Sequence, residues 1–538
     1  MAQRSITSIP SSSRAVGWVV LAVLLVSLRL FHLQGPLDDP HSWRQCDTAH
    51  YTLDFYRHGL DLLRPAVGWL GAHRTLVLEF PLSEALAALL YRAFGPDVMW
   101  DRLVSLAFFV VAAAYFHAIV RRVAPARAAR LATLAYLALP LGQFFSRAAQ
   151  ADFAATAFVH AFLFHAAAAL ERRSFAHAGA AAACGAVGAM IKAPYLLPVL
   201  GPLALVALAE PGGATVALGM LALAGPAIAF LLWRRHSDAV NGAAPDWFFL
   251  PGYYKESQAM WWYVGAWAQR VDPHRWVTLA RRVVFEVASP VGVALAVAGL
   301  AWRPAAAGAG EPPPPERSVG PVRFLLAWGA AVLVYLLVFF PLNAIHDYYQ
   351  IPFLAPAALA IGLGADWLWR RLPSVGRIPL GAALFGLFLA SAIVMVKSLG
   401  YYRVDWLRVE AGRAIRAQVP AGDLMVVGDH GTGYSDPRLL FRADHEGWPL
   451  AIADFTAGRL DTLASLGARW AAVVTDPDNP ALAPPAFLEP MRVSRQALEH
   501  GSRSLGTLWL YRLDRARLRA GSGGAIPAAR ASGGHAPP

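Results

Sequence analysis

Apolar runs of close to twenty residues recur along this 538-residue chain and dominate its sequence. A helix needs about 20 apolar residues to cross a hydrocarbon core of about 30 Å, because each residue adds about 1.5 Å. The runs lie at 15–33, 102–120, 128–146, 151–170, 175–191, 194–210, 213–233, 285–302, 322–341, 350–369 and 378–398. We therefore predict an all-α polytopic membrane protein, with about 11 transmembrane helices in a domain that covers residues 1–400.

The balance of apolar and charged residues supports a lipid environment. Hydrophobic residues make up 57% of the chain and charged residues 15%, whereas soluble domains average about 25% charged residues. The net charge of +12 comes from arginines that lie between the apolar runs. That placement is typical of topology signals and not of a contiguous phosphate-binding stripe, so no nucleic-acid partner is predicted.

The arginines also indicate which loops face the cytoplasm, where loops carry an excess of Lys and Arg. The stretch 81–95 has a helical pattern but is short, and counting it as a span would place the arginines of 121–130 outside. We predict instead an interfacial helix in the headgroup region. The inner segments are then 121–130, 172–173, 303–323 and 370–377, and the outer ones 34–100, 147–150, 192–193, 234–284, 342–349 and everything beyond about 400.

The composition changes beyond Tyr401. Residues 423–429, 469–475 and 507–512 have the pattern of short buried strands, and 460–466 has helical spacing. We predict a small α/β extracytoplasmic domain at 401–515. The segment 516–538 is rich in Gly, Ala and Pro, and we predict a disordered tail there.

Three polar clusters lie on the predicted outer face: 38–49 together with 79–82, then 146–152, then 343–349. Ionisable groups near a membrane core are costly, so they pair, face a cavity or carry out a function. A carboxylate there could take a proton from an acceptor that attacks a sugar carbon. Arg, Lys and His could hold a phosphate whose negative charge grows as it leaves. Each cluster alone is more often a structural pair of charges than a catalytic site, so the prediction of a functional site depends on all three clusters lying on one face of the membrane.

The motifs His41-Ser-Trp-Arg-Gln-Cys-Asp-Thr-Ala49, Glu79-Phe-Pro-Leu82, Ser146-Arg-x-x-Gln-x-Asp152 and His346-x-Tyr-Tyr-x-x-Pro352 resemble those of a family of bacterial GT-C glycosyltransferases. This family is similar to the protein O-mannosyltransferases and the lipid A aminoarabinose transferase. The resemblance covers about residues 15–400. It implies a hexosyl- or pentosyltransferase of the bacterial cytoplasmic (inner) membrane. Such an enzyme moves a sugar from a polyprenyl-phosphate donor to a lipid, glycan or protein acceptor on the extracytoplasmic face, generally with inversion.

The resemblance also implies roles for individual residues. Asp47 is the first choice for the general base, Asp39 is its competitor, and Glu79 would orient the acceptor or bind an ion. The residues expected to bind the donor phosphate are Arg44, Arg147, Lys192 and His346, and those expected to support them are Gln45, Asp152 and Tyr349. We expect Asp152 to pair with one of the two arginines. For His346, contact with nearby backbone at a helix end is almost as well supported.

No cofactor and no metal site is predicted, although the carboxylates could hold a divalent cation. Two other functions compete with glycosyl transfer. A transporter or flippase of lipid-linked saccharide would show charged or broken sites near the bilayer midplane and internal repeats, and few midspan charges are present. An envelope assembly scaffold would use the outer domain to bind partners.

Overall fold

The computed structural model describes residues 11–245, 261–303, 319–429, 436–476 and 483–521. Parts of the predicted loops 234–284 and 303–323, and most of the predicted tail, lie outside these ranges. The chain forms two units. The helical unit consists of Met1–Leu33, Arg102–Arg234 and Met260–Tyr401, and the sheet unit of Gln34–Asp101, Arg235–Ala259 and Tyr402–Pro538.

The helical unit is built almost wholly from α-helices. They are Ser11–Ser27, Ala126–Ala138, Pro140–Phe145, Asp152–Arg172, Phe175–Lys192, Leu197–Ala209, Trp267–Arg270, Pro273–Arg282, Pro290–Leu300, Pro321–Val338, Phe340–Ile345, Leu354–Arg371 and Arg377–Ser398, with most of Met99–Val123 and Gly213–Gly242. Leu28–Leu30, Ala193–Leu196 and Asp347–Phe353 are 3-10 helices, and Val283–Ala288 is a π-helix.

Within the described ranges, seven helices are long and apolar enough to cross a membrane. They are Met99–Val123, Asp152–Arg172, Phe175–Ala209, Gly213–Gly242, Pro321–Val338, Asp347–Arg371 and Arg377–Ser398. An eighth results if Pro273–Ala288 and Pro290–Leu300, which meet at a bend of 91°, form one span. The chain is thus a multi-pass membrane protein, and the predicted count of about 11 spans is not confirmed.

Proline and helix continuity explain where the predicted spans differ from the structure. The predicted span 128–146 is divided because Leu139 has extended backbone before Pro140, a residue that lacks an N–H and disfavours helix before it. The predicted spans 175–191 and 194–210 form one helical segment, Phe175–Ala209, of 35 residues. The predicted outer turn at 192–193 is therefore wrong, since Lys192 lies inside that segment.

Small residues let the helices of this unit pack closely. A Cβ added to Gly364 would lie 1.8 Å from the carbonyl oxygen of Leu295, and one added to Gly299 would lie 2.1 Å from that of Ala360. Helices Pro290–Leu300 and Leu354–Arg371 are therefore in backbone contact at these glycines. Such small-residue interfaces are the usual way in which membrane helices gain packing energy.

The sheet unit contains one five-stranded sheet. Its strands are β1 (Leu424–Gly428), β2 (Gly447–Pro449), β3 (Ala468–Thr475), β4 (Arg492–His500) and β5 (Arg503–Arg512), in the order β2-β1-β3-β5-β4. β1 is parallel to β2 and β3, whereas β5 is antiparallel to β3 and β4. The helices are Ser42–His58, Leu82–Phe94, Trp406–Gln418, Arg438–Ala443, Ala457–Ser465 and Arg515–Gly521, and Ile452–Asp454 and Ala486–Met491 are 3-10 turns.

Alternate strand residues divide between two cores, as the pleat requires. Val426 of β1 packs in a cluster with Leu460 and Leu463 of the helix Ala457–Ser465. Val427 packs on the opposite face, in a cluster that includes Trp69 of the loop 34–101. Leu76 and Leu510 belong to that second cluster too. The loop predicted as part of the membrane domain therefore shares a core with the C-terminal sheet, a relationship that depends on contacts between distant parts of the chain.

The sequence prediction for this region holds in outline. The predicted strands at 423–429, 469–475 and 507–512 match β1, β3 and β5, and the predicted helix at 460–466 overlaps Ala457–Ser465. The expectation of disorder from residue 516 is wrong at its start, because the helix Arg515–Gly521 buries Leu518 in the core.

The helix Leu82–Phe94 has 13 residues, too few to cross a bilayer. Its buried face carries small or polar residues, including Ser83, Glu84 and Ala88, while Leu89 and Phe94 are exposed. An exposed apolar face on a short helix fits the predicted interfacial position.

Candidate functional site

The predicted acidic residues lie on and beside the helix Ser42–His58 of the sheet unit. Before the helix, Asp39 Oδ1 accepts hydrogen bonds from Ser42 N at 3.0 Å and from Ser42 Oγ at 2.7 Å. Gln45 is fully buried, and its Nε2 donates to the carbonyl oxygen of Asp38 at 2.6 Å. These bonds hold the start of the helix against the preceding loop, so Asp39 and Gln45 both have a structural role.

Arg44, Asp47 and Glu79 come together in the structure. Arg44 Nη2 lies 2.8 Å from Glu79 Oε2, and Arg44 Nη1 lies 3.7 Å from Asp47 Oδ2. The other carboxylate oxygen of Asp47 accepts a hydrogen bond from Trp69 Nε1 at 2.9 Å. Among the residues that the structure describes, no ion pair or hydrogen bond joins Asp39 to these three side chains.

The two carboxylates beside Arg44 differ in how deeply they are buried. The side chain of Asp47 is 2% exposed and that of Glu79 is 16% exposed. Burial raises the pKa of Asp47 to about 7, against the opposing effects of the Arg44 guanidinium and the Trp69 hydrogen bond. Asp47 is thus a carboxylate that gains or loses a proton near neutral pH, a range that suits a general base.

A second buried carboxylate, Glu84, lies on the helix Leu82–Phe94. Burial raises its pKa to about 8, and the nearby charge of Glu79 acts in the same direction. Its Oε2 has no hydrogen-bond partner within the described part of the chain. Glu84 lies in the predicted interfacial helix at 81–95, and no functional role was predicted for it.

In the helical unit, Lys192 is the centre of a second constellation. Its Nζ donates a 2.7 Å hydrogen bond to Asp152 Oδ1, which also accepts one from the Tyr195 hydroxyl at 2.5 Å. The ammonium lies 5.3, 5.1 and 4.9 Å from the ring centroids of Tyr195, Tyr348 and Tyr349. Three tyrosine faces and one carboxylate therefore stabilise this buried cation.

The expectation that Asp152 pairs with an arginine is wrong. Its partner is Lys192, which the helical segment Phe175–Ala209 brings to the start of the helix Asp152–Arg172. Arg147 is fully buried, donates to the carbonyl oxygen of His32 at 3.0 Å and lies over the ring of Phe144. The prediction left open which of Arg44 and Arg147 would be the partner, and tertiary packing supplies Lys192 in place of both.

His346 and Tyr349 belong to the segment that follows the short helix Phe340–Ile345. The His346 ring stacks on Tyr348 with centroids 5.1 Å apart and is 6.2 Å from the ring of Tyr349. Arg282 donates to the carbonyl oxygens of Asn343, Ala344 and Ile345 at 2.8 to 3.1 Å. These bonds satisfy the carboxyl end of the helix and fix the segment that carries His346.

Several residues around these constellations were not predicted. Gln150 lies within a quoted motif, and both polar atoms of its buried amide lack a hydrogen-bond partner among the described residues. Its place in the motif was a usable signal. Trp69, Tyr195 and Arg282 gave no comparable signal, because their roles come from tertiary contacts alone.

No group of three or more His, Cys, Asp or Glu side chains in the described ranges is arranged to hold a metal ion. The expectation of no metal and no cofactor stays a prediction.

No protein-family model and no curated protein matches the sequence. Several solved structures, in contrast, match the fold of this chain. ArnT from Cupriavidus metallidurans bound to undecaprenyl phosphate aligns with a TM-score of 0.57 at 15% identity, over 93% of this chain and 98% of that one. AglB, an oligosaccharyltransferase from Archaeoglobus fulgidus in complex with an inhibitory peptide and a dolichol-phosphate, also matches. It aligns with a TM-score of 0.53 at 12% identity, over 87% of this chain and 70% of that one.

The arabinofuranosyltransferase AftD from Mycobacteria aligns with a TM-score of 0.54 at 14% identity, over 96% of this chain and 41% of that one. All three of these proteins are GT-C glycosyltransferases. The chain has the GT-C fold. At identities of 12–15% these matches show the fold alone.

Proposed function

We propose that the chain is a glycosyltransferase that moves a sugar from a polyprenyl-phosphate donor to an extracytoplasmic lipid, glycan or protein acceptor at the bacterial cytoplasmic membrane. The observation that carries the proposal is the buried carboxylate of Asp47 beside the Arg44–Glu79 ion pair, in a chain with the GT-C fold. Two solved examples of that fold hold a polyprenyl phosphate, namely undecaprenyl phosphate in ArnT and dolichol-phosphate in AglB.

The reaction forms a bond between an acceptor oxygen or nitrogen and the anomeric carbon of the sugar. The bond between that carbon and the phosphate oxygen breaks, and its electron pair stays on the phosphate. The acceptor proton passes to a carboxylate. Because negative charge grows on the phosphate as the bond breaks, fixed cations stabilise the transition state more than the ground state. Because the pKa of Asp47 is raised to about 7, its ionised form is present near neutral pH and can accept the proton.

In the sheet unit, Asp47 is assigned as the general base, with Asp39 as the competing candidate. Glu79, the more exposed carboxylate beside Arg44, is assigned to orient the acceptor. Arg44 lies between the two carboxylates, and its Nη2 forms an ion pair with Glu79. Its assigned role at the donor phosphate therefore requires that this ion pair loosen when the donor binds.

In the helical unit, Lys192, Arg147 and His346 are assigned to the donor phosphate. Asp152 offsets the charge of Lys192, and the three tyrosine rings keep the ammonium oriented. Tyr349 supports this arrangement, and its backbone oxygen accepts a hydrogen bond from the Tyr335 hydroxyl at 2.8 Å. A phosphate would replace Asp152 as the main partner of Lys192.

The proposal is tested with purified full-length chain and radiolabelled undecaprenyl-phosphate sugars, supplied as a panel of hexosyl and pentosyl donors. Membranes from a strain lacking the chain provide the acceptors. Label should enter a lipid, glycan or protein fraction with the wild type. It should also do so with the control variant Asp461→Asn, which changes a carboxylate that pairs with Arg515 in the same unit. With Asp47→Asn, no label should enter these fractions. Absence of transfer from every donor, with folded wild-type protein, overturns the proposal.

A further inference from the structure

The sheet unit contains a cavity of about 280 Å³ between the helix Ser42–His58 and the segment that leads into β2. The helix contributes His50, Leu53 and Arg57 to its wall, and the segment contributes Phe441, Asp444 and Glu446, among others. The roles assigned above to Arg44, Asp47 and Glu79 do not use this cavity, since none of the three lines it.

His50 is a buried polar group of the cavity wall with unused hydrogen-bonding capacity. The side chain is 7% exposed, and it makes no hydrogen bond to any residue that the structure describes. A Cβ on Gly68 would lie 2.2 Å from His50 Cε1, so the ring occupies space that a glycine leaves open. Burial lowers the pKa of His50 to about 4, and the Arg74 charge acts in the same direction. At neutral pH the ring is therefore uncharged, with one donor and one acceptor nitrogen.

The charged groups of the wall are paired. Arg57 Nη2 lies 2.8 Å from Asp444 Oδ1, and Arg74 Nη2 lies 2.9 Å from Glu446 Oε1 and 2.6 Å from Asp54 Oδ1, a residue behind the wall. Because each guanidinium group already has a carboxylate partner, neither is left to attract a small anion. The pairs place N–H donors directly beside oxygen acceptors along one wall.

Apolar surfaces complete the cavity. The ring of Phe441 lies 6.4 Å from that of His50, and Leu53 and Leu440 also line the space. A sugar ring has matching features, since its hydroxyls both donate and accept hydrogen bonds and its C–H faces pack on aromatic and aliphatic surfaces.

A second cavity of about 340 Å³ shares part of this wall, namely Leu53, Arg57, Phe441 and Asp444. Both volumes are close to the lower limit, about 300 Å³, of small-molecule sites. Two cavities with a common wall suit an extended chain of small units better than one compact ligand.

We propose that the cavity around His50 is a saccharide-binding site that holds a neutral sugar unit of a glycan chain. This deepens the proposed function, because such a chain would be the acceptor or the product. Sugar binding at His50 does not require transfer activity, so the two proposals can fail separately.

The test is saturation-transfer NMR on full-length chain in lauryldimethylamine oxide, a detergent without a sugar headgroup. The probes are methyl glycosides of mannose, glucose and galactose, the corresponding neutral disaccharides, and inorganic phosphate. At least one neutral glycoside should bind the wild type, with equal affinity in Asp47→Asn and in the control Asp461→Asn. His50→Leu, which removes both ring nitrogens at similar size, should weaken that binding about tenfold, the effect of one or two lost hydrogen bonds.

Asp444→Asn provides a second variant, which breaks the Arg57 pair at the surface and leaves His50 and its packing in place. It should weaken glycoside binding while the thermal unfolding midpoint stays within a few degrees of the wild type. Three results overturn the inference: no glycoside binds the wild type, binding is unchanged in both variants, or phosphate binds and competes where glycosides do not.

Discussion

The ammonium of Lys192 lies 2.7 Å from the carboxylate of Asp152, and both side chains are almost fully buried. Neither charge is stable in such an environment without the other. Removing one partner of a buried pair costs about 3–5 kcal/mol, because the remaining charge has lost its compensation. The pair therefore has a structural role whatever it binds, and a single substitution cannot separate stability from donor binding.

Lys192→Met alone should lower the unfolding midpoint and abolish transfer. The double variant Lys192→Met/Asp152→Asn should recover most of the stability, since no unpaired charge remains, but not the transfer activity. Thermal unfolding and the labelled-donor assay measure the two effects on the same preparations. A double variant with wild-type activity would remove Lys192 from the donor site.

Asp47→Asn should reduce the transfer rate by about 10²–10⁴-fold, the usual contribution of a general base, with little loss of donor binding. In the wild type, the raised pKa means that Asp47 is protonated below about 7. Because only the ionised carboxylate accepts a proton, kcat/KM should fall about tenfold per pH unit below that value. A pH profile that is flat between 5 and 8 would contradict the assignment.

Asp39 is tested by substitutions that keep or remove its oxygen. Asp39→Asn retains an acceptor for Ser42 N and Oγ, so it should keep both stability and activity. Asp39→Ala removes the acceptor and should cost about 0.5–2 kcal/mol of folding free energy, as the loss of a helix-start acceptor generally does. Chemical denaturation and the transfer assay measure these effects. If Asp39→Asn is inactive while Asp47→Asn is active, the two carboxylates exchange roles.

Glu84 should make stability depend on pH. Its folded-state pKa of about 8 lies above the unfolded value, so the folded state holds the extra proton between about 4.5 and 8. Stability should therefore fall as pH rises through that window, by at most about 1.4 kcal/mol per pH unit.

In Glu84→Gln, which cannot ionise, that fall should be smaller, as measured by unfolding midpoints at pH 5 and pH 8. The control Glu489→Gln changes a carboxylate that is 54% exposed and should leave the slope as it is in the wild type. An identical slope in Glu84→Gln and the wild type would show that Glu84 is ionised in the folded protein.

The sequence is most informative where one physical rule acts locally. Apolar runs locate most of the membrane helices, and the spacing of Arg44 and Asp47 places both on one helix face. Contacts between distant segments could not be predicted in this way. Glu79 reaches Arg44 through the fold of the loop, and Lys192 reaches Asp152 because Phe175–Ala209 is one helical segment. The division of the predicted span 128–146 at Pro140 could have been predicted from the sequence, since proline disrupts a helix locally.

The core that joins the loop 34–101 to the C-terminal sheet sets an order for folding. Trp69 and Leu76 are synthesised early, whereas Leu510, in the same cluster, comes from the last strand. A ribosome therefore completes nearly the whole chain before these side chains meet their native neighbours. A truncation that removes β5 should deprive Trp69 and Leu76 of part of the core on which they pack. The loss of residues near the carboxyl terminus should therefore destabilise the region around the helix that carries Asp47.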